Sequence, residues 1–391
     1  MPSNQSTRSG DPKDYEIAIF CALGLEADAT IAMFDEIWEH ADQPLRAPGD
    51  TNSYTFGQIW QHPVVLVHLP RMGKVSACQA SANLRSSFPH VRLGLLVGVC
   101  GSVPSSGTQD VFLGDVIIST QIVQLDFGRL YQHGFARKDS LEDNLGRPNP
   151  EMSGFLTKLQ GQNARAEIKN SMCAGLATVF ESTTFALSNR PATNQDRLFD
   201  ANYGHKHTDP KACISAECTW SENSVCDDAR SLSCSELGCD LGRVVPRIRR
   251  QRDQPYSTSS DDPDIHFGRV GSGDQVIKSA LHRDCIAKEE GVIGFEMEGA
   301  GIWETVPTII VKGVSDYSDS HKSKAWQPYS AAAAAACAKG MLKMWRAPKR
   351  TERRHVRESA PPQVHQVFSG NFTAGKSIHN GGTFTAESIN F

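Results

Sequence analysis

The chain sets carboxylates at the ends of two short apolar runs. Val292-Ile293 leads into Gly294-Phe295-Glu296-Met297-Glu298-Gly299-Ala300, and Ile309-Ile310-Val311 leads into Gly313-Val314-Ser315-Asp316-Tyr317-Ser318-Asp319. Each run has the length and content of a buried strand. Ligands of open α/β sheets bind where such strands end. An ionised acid there costs free energy unless something partners it. Two acid-tipped strands eighteen residues apart therefore predict one site that handles a sugar hydroxyl and a proton.

Other polar or small residues stand where chemistry is feasible. Glu26 follows the first apolar run, Ile17 to Cys21, near the start of a helix, where the helix dipole favours a carboxylate. Gly98-Val99-Cys100-Gly101-Ser102 closes another run with residues small enough for a ligand to approach the backbone. Arg71 stands just before Gly73-Lys74 at a helix start, a position that suits a phosphate. His321, Lys322 and Lys324 add positive charge beyond the second acidic run.

The elements that must position these groups alternate between strand and helix. Strands are expected over Glu16–Cys21, Val64–Leu69, Leu93–Val99 and Gly114–Thr120, with a turn at Cys100-Gly101-Ser102. Helices are expected over Leu25–Glu39 and Gly73–Ser87, and another opens near Ser272–Ile277 with Asp274 as its cap. Pro328 sits near the start of a last, alanine-rich helix that ends near Trp345. This alternation predicts an α/β domain with a central, mostly parallel twisted sheet flanked by helices.

With 391 residues the chain holds one large domain or two smaller ones. A net charge of −4 gives no bulk argument for a nucleic acid polymer or a membrane surface as partner. No apolar run approaches the roughly 18 residues of a membrane helix. The polar segment Met1–Asp14 lacks the apolar stretch of a secretory signal and reads as a disordered arm. The eleven cysteines are odd in number, and several sit in apolar contexts, which points to a reducing, cytoplasmic compartment.

Apolar periodicity fails from about Ser188 to Pro263. An insertion at about 204–262 is Ser-, Asp- and Cys-rich and reads as disordered. Cys213-x4-Cys218 and Cys234-x4-Cys239, with His205 and His207 nearby, match zinc spacing only loosely, and no metal is expected. After Arg346 come a basic linker and a tail, residues 347–391, in which Phe372–Ile378 resembles Phe384–Ile389 with one residue deleted. Gly370–Ser377 satisfies the pattern G-x4-G-K-S but lacks the surrounding α/β unit that a P-loop requires. Two low-charge copies without proline can instead stack in a cross-β assembly, giving tail-mediated self-assembly.

F-E-M-E-G-A followed by V-S-D-Y-S-D resembles the nucleoside phosphorylase and nucleosidase family, with the methylthioadenosine/S-adenosylhomocysteine nucleosidases closest among its enzymes by motif. With Ser318-Asp319-Ser320-His321-Lys322 and the alanine-rich helix, the stretch resembles more specifically the nucleoside phosphorylase-like domains of fungal immune-receptor proteins. The resemblance covers about 15–346. It implies cleavage of the N-glycosidic bond of a purine nucleoside or nucleotide, through a transition state like an oxocarbenium ion. It implies Asp316 as general acid oriented by Ser315, Glu298 on the ribose hydroxyls with Met297 packed on the sugar, and Glu26 activating water. Glu296 joins the same substrate-binding strand end. Gly98, Val99, Cys100 and Gly101 border the ribose, the backbone around Val276 faces the base, and Arg71, where the nucleosidases have a small residue, hints at a phosphate. Val276 also replaces a common stacking aromatic, for which Phe267, Phe295 or Phe127 could substitute. No cofactor is implied, and a homo-oligomer is expected. Phosphorolysis, and a catalytically inactive binding or oligomerising module of an immune-receptor system, are the alternatives.

Overall fold

The structure is a computed structural model that describes residues 11–38, 46–106, 109–132, 134–181, 190–215, 217–218, 225–247, 262–346, 373–374 and 377–378. The chain divides into two units, residues 1–346 and 347–391.

The first unit is built on nine strands: β1 Ile17–Cys21, β2 Glu36–Trp38, β3 Ser53–Ile59, β4 His62–His68, β5 Leu93–Ser102, β6 Val116–Gln124, β7 Ile265–Ser272, β8 Val292–Glu296 and β9 Thr308–Asp316. They form one sheet in the order β8-β7-β6-β9-β5-β1-β4-β3-β2. β8 also pairs with β5, so β8, β7, β6, β9 and β5 close a ring. Neighbours β4-β1-β5-β9 and β6-β7-β8 pair in parallel. Antiparallel pairs fall at the β2-β3-β4 edge, between β9 and β6, and where β8 meets β5. β1, β8 and β9 are buried along their whole length, which explains runs apolar on both faces.

Helices cover the sheet: α1 Gly24–Ile31, α2 Lys74–Ser87, α3 Pro150–Gln160, α4 Gln162–Glu181, α5 Asp227–Ser231, α6 Cys234–Leu237, α7 Ala280–Glu290, α8 Gly299–Ile302 and α9 Gln327–Met344. α9 carries Pro328 in its first turn and ends at the cap Trp345. Its run Ala331–Ala336 is buried on every side, because small side chains let it lie against β9, β5, α4 and α1.

Three expectations change. The helix expected over Leu25–Glu39 stops at Ile31, and Glu36–Trp38 adds an edge strand to β3. Burial of Trp38 edge-on to Tyr15 explains why tertiary packing wins there. β5 does not turn at Cys100; it continues to Ser102, where Gly101 and Ser102 pair with Phe295 and Gly294 of β8. Asp274 caps α2 from across the fold by accepting from Lys74 N–H at 2.9 Å. The helix after it begins later, at Ala280, capped by Ser279.

In the insertion, α5 and α6 are single short turns capped by Cys226 and Ser233, and Val244 bridges back to Phe199 just before it. In the second unit Thr373–Ala374 pairs antiparallel with Ser377–Ile378, a strand where a P-loop would start a helix. The rest of the tail repeat and residues 1–10 of the N-terminal arm lie outside the described residues. No described helix is long and apolar enough to cross a membrane.

Candidate active site

A cleft of about 1050 Å³ opens at the ends of β1, β5, β8 and β9. Glu26, Val99, Cys100, Gly101, Val276, Glu296, Met297, Glu298, Ser315 and Asp316 all line it. Gly98 lies directly beneath Glu26, and Arg71 is exposed and outside the cleft wall.

Glu26 leaves the first turn of α1 and folds back on the backbone that precedes it. Its Oε2 accepts from the N–H of Ala22 (2.9 Å) and Leu23 (3.0 Å), and its Oε1 from Val99 N–H (2.8 Å). The carboxylate is 2 % exposed, and three amide donors compensate it. Only glycine fits beneath it, since a Cβ on Gly98 would lie 2.0 Å from Glu26 Oε1.

Beside it stands Lys312, in the middle of β9 and 1 % exposed. Its Nζ is 3.8 Å from Glu26 Oε1 and 3.5 Å from Glu298 Oε2. Burial alone would push the ammonium down, but Glu26, Glu298 and Glu296 together raise it above the ordinary lysine value. Lys312 is a site residue that sequence reading missed. The signal was present as a lone lysine directly after the apolar run Ile309-Ile310-Val311.

Glu298 also accepts from Gly73 N–H at 3.2 Å, which ties the β8 end to the start of α2. Glu296 turns one oxygen to the N–H of Glu298 (2.9 Å) and Gly299 (2.8 Å). Its other oxygen, Oε1, is buried in the cleft wall with no hydrogen-bond partner among the described residues. Burial first, and the neighbouring Glu298 second, push Glu296 up to about 7. Between its ordinary value of 4.5 and about 7, the folded chain keeps a proton that the unfolded chain has released. Stability therefore falls as pH rises through that window. Glu296→Gln is expected to flatten this dependence, which urea midpoints of both proteins at about pH 5 and about pH 8 will measure.

Asp316 closes the opposite side. Oδ1 accepts from Ser318 N–H (2.9 Å), and Oδ2 faces Ser315 Oγ (3.1 Å) and Lys322 Nζ (3.3 Å). Ser315 Oγ also lies 3.2 Å from Cys100 O. Asp316 is in register with Gly101, where a Cβ would lie 2.8 Å from its Oδ1. Glu26 and Asp316 thus dock at residues 99 and 101 of one strand, so their anchor points are about 7 Å apart.

Of the aromatic candidates, Phe295 lines the cleft. Phe267 packs under Arg165 and Phe127 under Lys138, both outside the wall. Phe199, which sequence reading passed over, lines the cleft as well. Arg71 is exposed beside Met72, which lines the cleft, and Lys74 is engaged by Asp126 and Asp274. Exposed cations at the wall come from Lys278 and Lys324, and from Arg230, which pairs with Asp227. Residues 230–236 of the insertion form one side of the cleft.

A sheet ring ending in this set of acids defines a class. The Phosphorylase superfamily matches residues 16–195, and the chain carries a phosphorylase superfamily domain. It is 31 % identical over 335 residues to a nucleotide-binding leucine-rich repeat (NLR)-like protein of Hyaloscypha variabilis, covering 85 % of this chain and 29 % of that one. The chain thus spans less than a third of that relative's length. Among solved structures it is similar to a Helicobacter pylori MTAN mutant with 5′-methylthioadenosine in its active site, at 15 % identity and TM-score 0.48, covering 85 % of this chain and 99 % of that one. It is also similar to the Neisseria meningitidis 5′-methylthioadenosine/S-adenosylhomocysteine nucleosidase in complex with methylthio-immucillin-A, at 15 % identity and TM-score 0.47, covering 84 % and 99 %.

Proposed function

We propose that this domain hydrolyses the N-glycosidic bond of a purine nucleoside or nucleotide, with Asp316 as general acid and Glu26 activating water. The observation that carries the choice of water is the environment of Glu26. A phosphorolytic site holds its anion on free N–H groups and cations, and a helix start is the usual place. Here the chain's own carboxylate already takes the N–H groups of Ala22, Leu23 and Val99 around the start of α1. A phosphate at that point would meet a buried carboxylate in place of donors. A water there meets a base.

The remaining groups fit the other half of the reaction. Glu298, held between Lys312 and Gly73, accepts from ribose hydroxyls, and Met297 in the wall packs on the sugar. Asp316 delivers a proton to the departing purine, and the Lys322 ammonium, 3.3 Å away, stabilises the carboxylate left behind. Positive charge from Arg230, Lys278 and Lys324 suits a substrate that carries phosphate on its 5′ side. In a receptor of the NLR-like kind, such an activity would deplete a nucleotide pool when the tail or a partner clusters the chain.

Base release followed by chromatography tests this reading on adenosine, methylthioadenosine, ATP, inosine and uridine. Release is expected without phosphate and unchanged by adding it. Glu26→Gln is expected to lose on the order of 10²-fold or more in kcat. Release that requires phosphate would make the enzyme a phosphorylase. Ligand binding with no release from any substrate would favour a binding module.

A further inference from the structure

The insertion draws eight cysteine and histidine side chains into two groups. His205, Cys234, Cys239 and His321 form one, and His207, Cys213, Cys218 and Cys226 form the other. Within each group every ligand atom lies within 4.8 Å of the others, and six of the eight residues are buried. We infer that these are two structural sites for a tetrahedral, thiophilic divalent cation, zinc being the expected one, and that the first site clamps the insertion to the loop that carries Asp316.

The geometry is that of a coordination shell. Zinc–sulfur and zinc–nitrogen bonds of about 2.3 and 2.0–2.1 Å give a tetrahedron whose sulfur–nitrogen edge is about 3.6 Å. In the first group Cys234 Sγ lies 3.6 Å from the Nδ1 of both His205 and His321, and Cys239 Sγ lies 3.4 Å from His205 Nδ1. In the second, His207 Nδ1 is 3.4 Å from Cys218 Sγ and 3.6 Å from Cys226 Sγ. All four cysteines of the two x4 pairs, and Cys226, are free of disulfides.

The outer contacts point the same way. His205 Nε2 donates to Leu232 O and His321 Nε2 to Tyr203 O, each at 2.9 Å. A carbonyl can only accept, so each neutral ring carries its proton on Nε2 and aims a lone pair from Nδ1 at the thiols. Metal-bound histidines are oriented this way by their outer partners. Backbone N–H groups of Cys226 and Ala229 face the sulfurs of Cys218 and Cys226, as thiolates require. The His321 ring is further fixed by stacking on Phe199 at 4.0 Å.

Among the described residues, the insertion has little other source of order. The small core there holds seven buried residues, Phe199 included, and four of them are the ligands Cys213, Cys218, Cys226 and Cys239. So little apolar surface does not fold alone, and small units of this kind are stapled by metal or disulfides. Cys2His2 and Cys3His sets leave no open position, which makes the sites structural. His321 comes from outside the insertion, two residues beyond Asp319 and five beyond Asp316. It therefore joins the wall at residues 230–236 to the acid loop.

Elemental analysis of the full chain, purified without chelator, tests the inference independently of any catalytic activity. Two zinc ions per chain are expected, with all eleven cysteines reactive to a thiol reagent after denaturation without reductant. The double variants Cys234→Ser/Cys239→Ser and Cys213→Ser/Cys218→Ser should each retain one ion. Chelator-stripped protein refilled with cobalt(II) should show thiolate-to-cobalt charge-transfer absorption. Wild-type chain that carries no metal and takes up no cobalt overturns both sites, as does a thiol count short by two or more. A single ion per chain overturns the site whose double variant leaves it in place.

Discussion

Asp316→Asn is expected to lower base release by about 10²–10⁴-fold in kcat while KM changes little. Asparagine keeps the acceptor for Ser318 N–H, the size of the side chain and the approach of Ser315. It can donate a hydrogen bond to the departing base but cannot transfer a proton, so only the transition state suffers. The expected split between kcat and KM separates this from a change in substrate binding. A leaving group that departs as a stable anion gives a sharper control. With a p-nitrophenyl riboside no proton is needed, and the variant should approach the wild-type rate. Loss of activity on both substrates alike would mean that Asp316 holds the loop in shape; a loss below about threefold on purines would remove it as the acid.

The acids at the ends of β8 and β9 were legible because the pattern is local. A short apolar run that stops at Glu296 or Asp316 announces both the buried strand and its polar tip. Their partners were not legible in the same way. Lys312 breaks an apolar run visibly, yet the carboxylates that tolerate it come from Glu26, some 290 residues away, and from Glu298 on a different strand. Arg71 shows how little local pattern says about a side chain's direction. Its place before Gly73-Lys74 fits a phosphate contact, yet the neighbouring Met72 is the residue that lines the cleft, and Asp274 takes up the helix start. The insertion hides for a related reason. Its order depends on His205 meeting His321 across more than a hundred residues of sequence, which no periodicity records. Where β5 seemed to end in a turn, pairing with Gly294 and Phe295 carries the strand on. Fold class follows from local pattern, whereas the electrostatics of the site follow from closure of the ring.

Lys312→Met should destabilise the domain by about 3–5 kcal/mol near neutral pH, although methionine matches the stem of lysine and adds no polar group. The reason is what remains. Glu26, Glu298 and Glu296 stay buried with their shared cation gone, and Glu296 already has an oxygen without a hydrogen-bond partner among the described residues. Uncompensated buried carboxylates bind protons more tightly in the folded chain than in the unfolded one. The variant should therefore recover stability as pH falls from about 7 towards the ordinary carboxylate value of 4.5, by more than the Glu296 dependence that the wild type already shows. Urea unfolding at several pH values measures it, with m unchanged if both states keep their compactness. Adding Glu298→Gln to Lys312→Met should restore part of the loss at neutral pH, because it removes one stranded charge. A pH-independent loss with no rescue by Glu298→Gln would assign Lys312 a packing role, and the buried cation would no longer explain how the fold tolerates Glu26 and Glu298 inside the cleft wall.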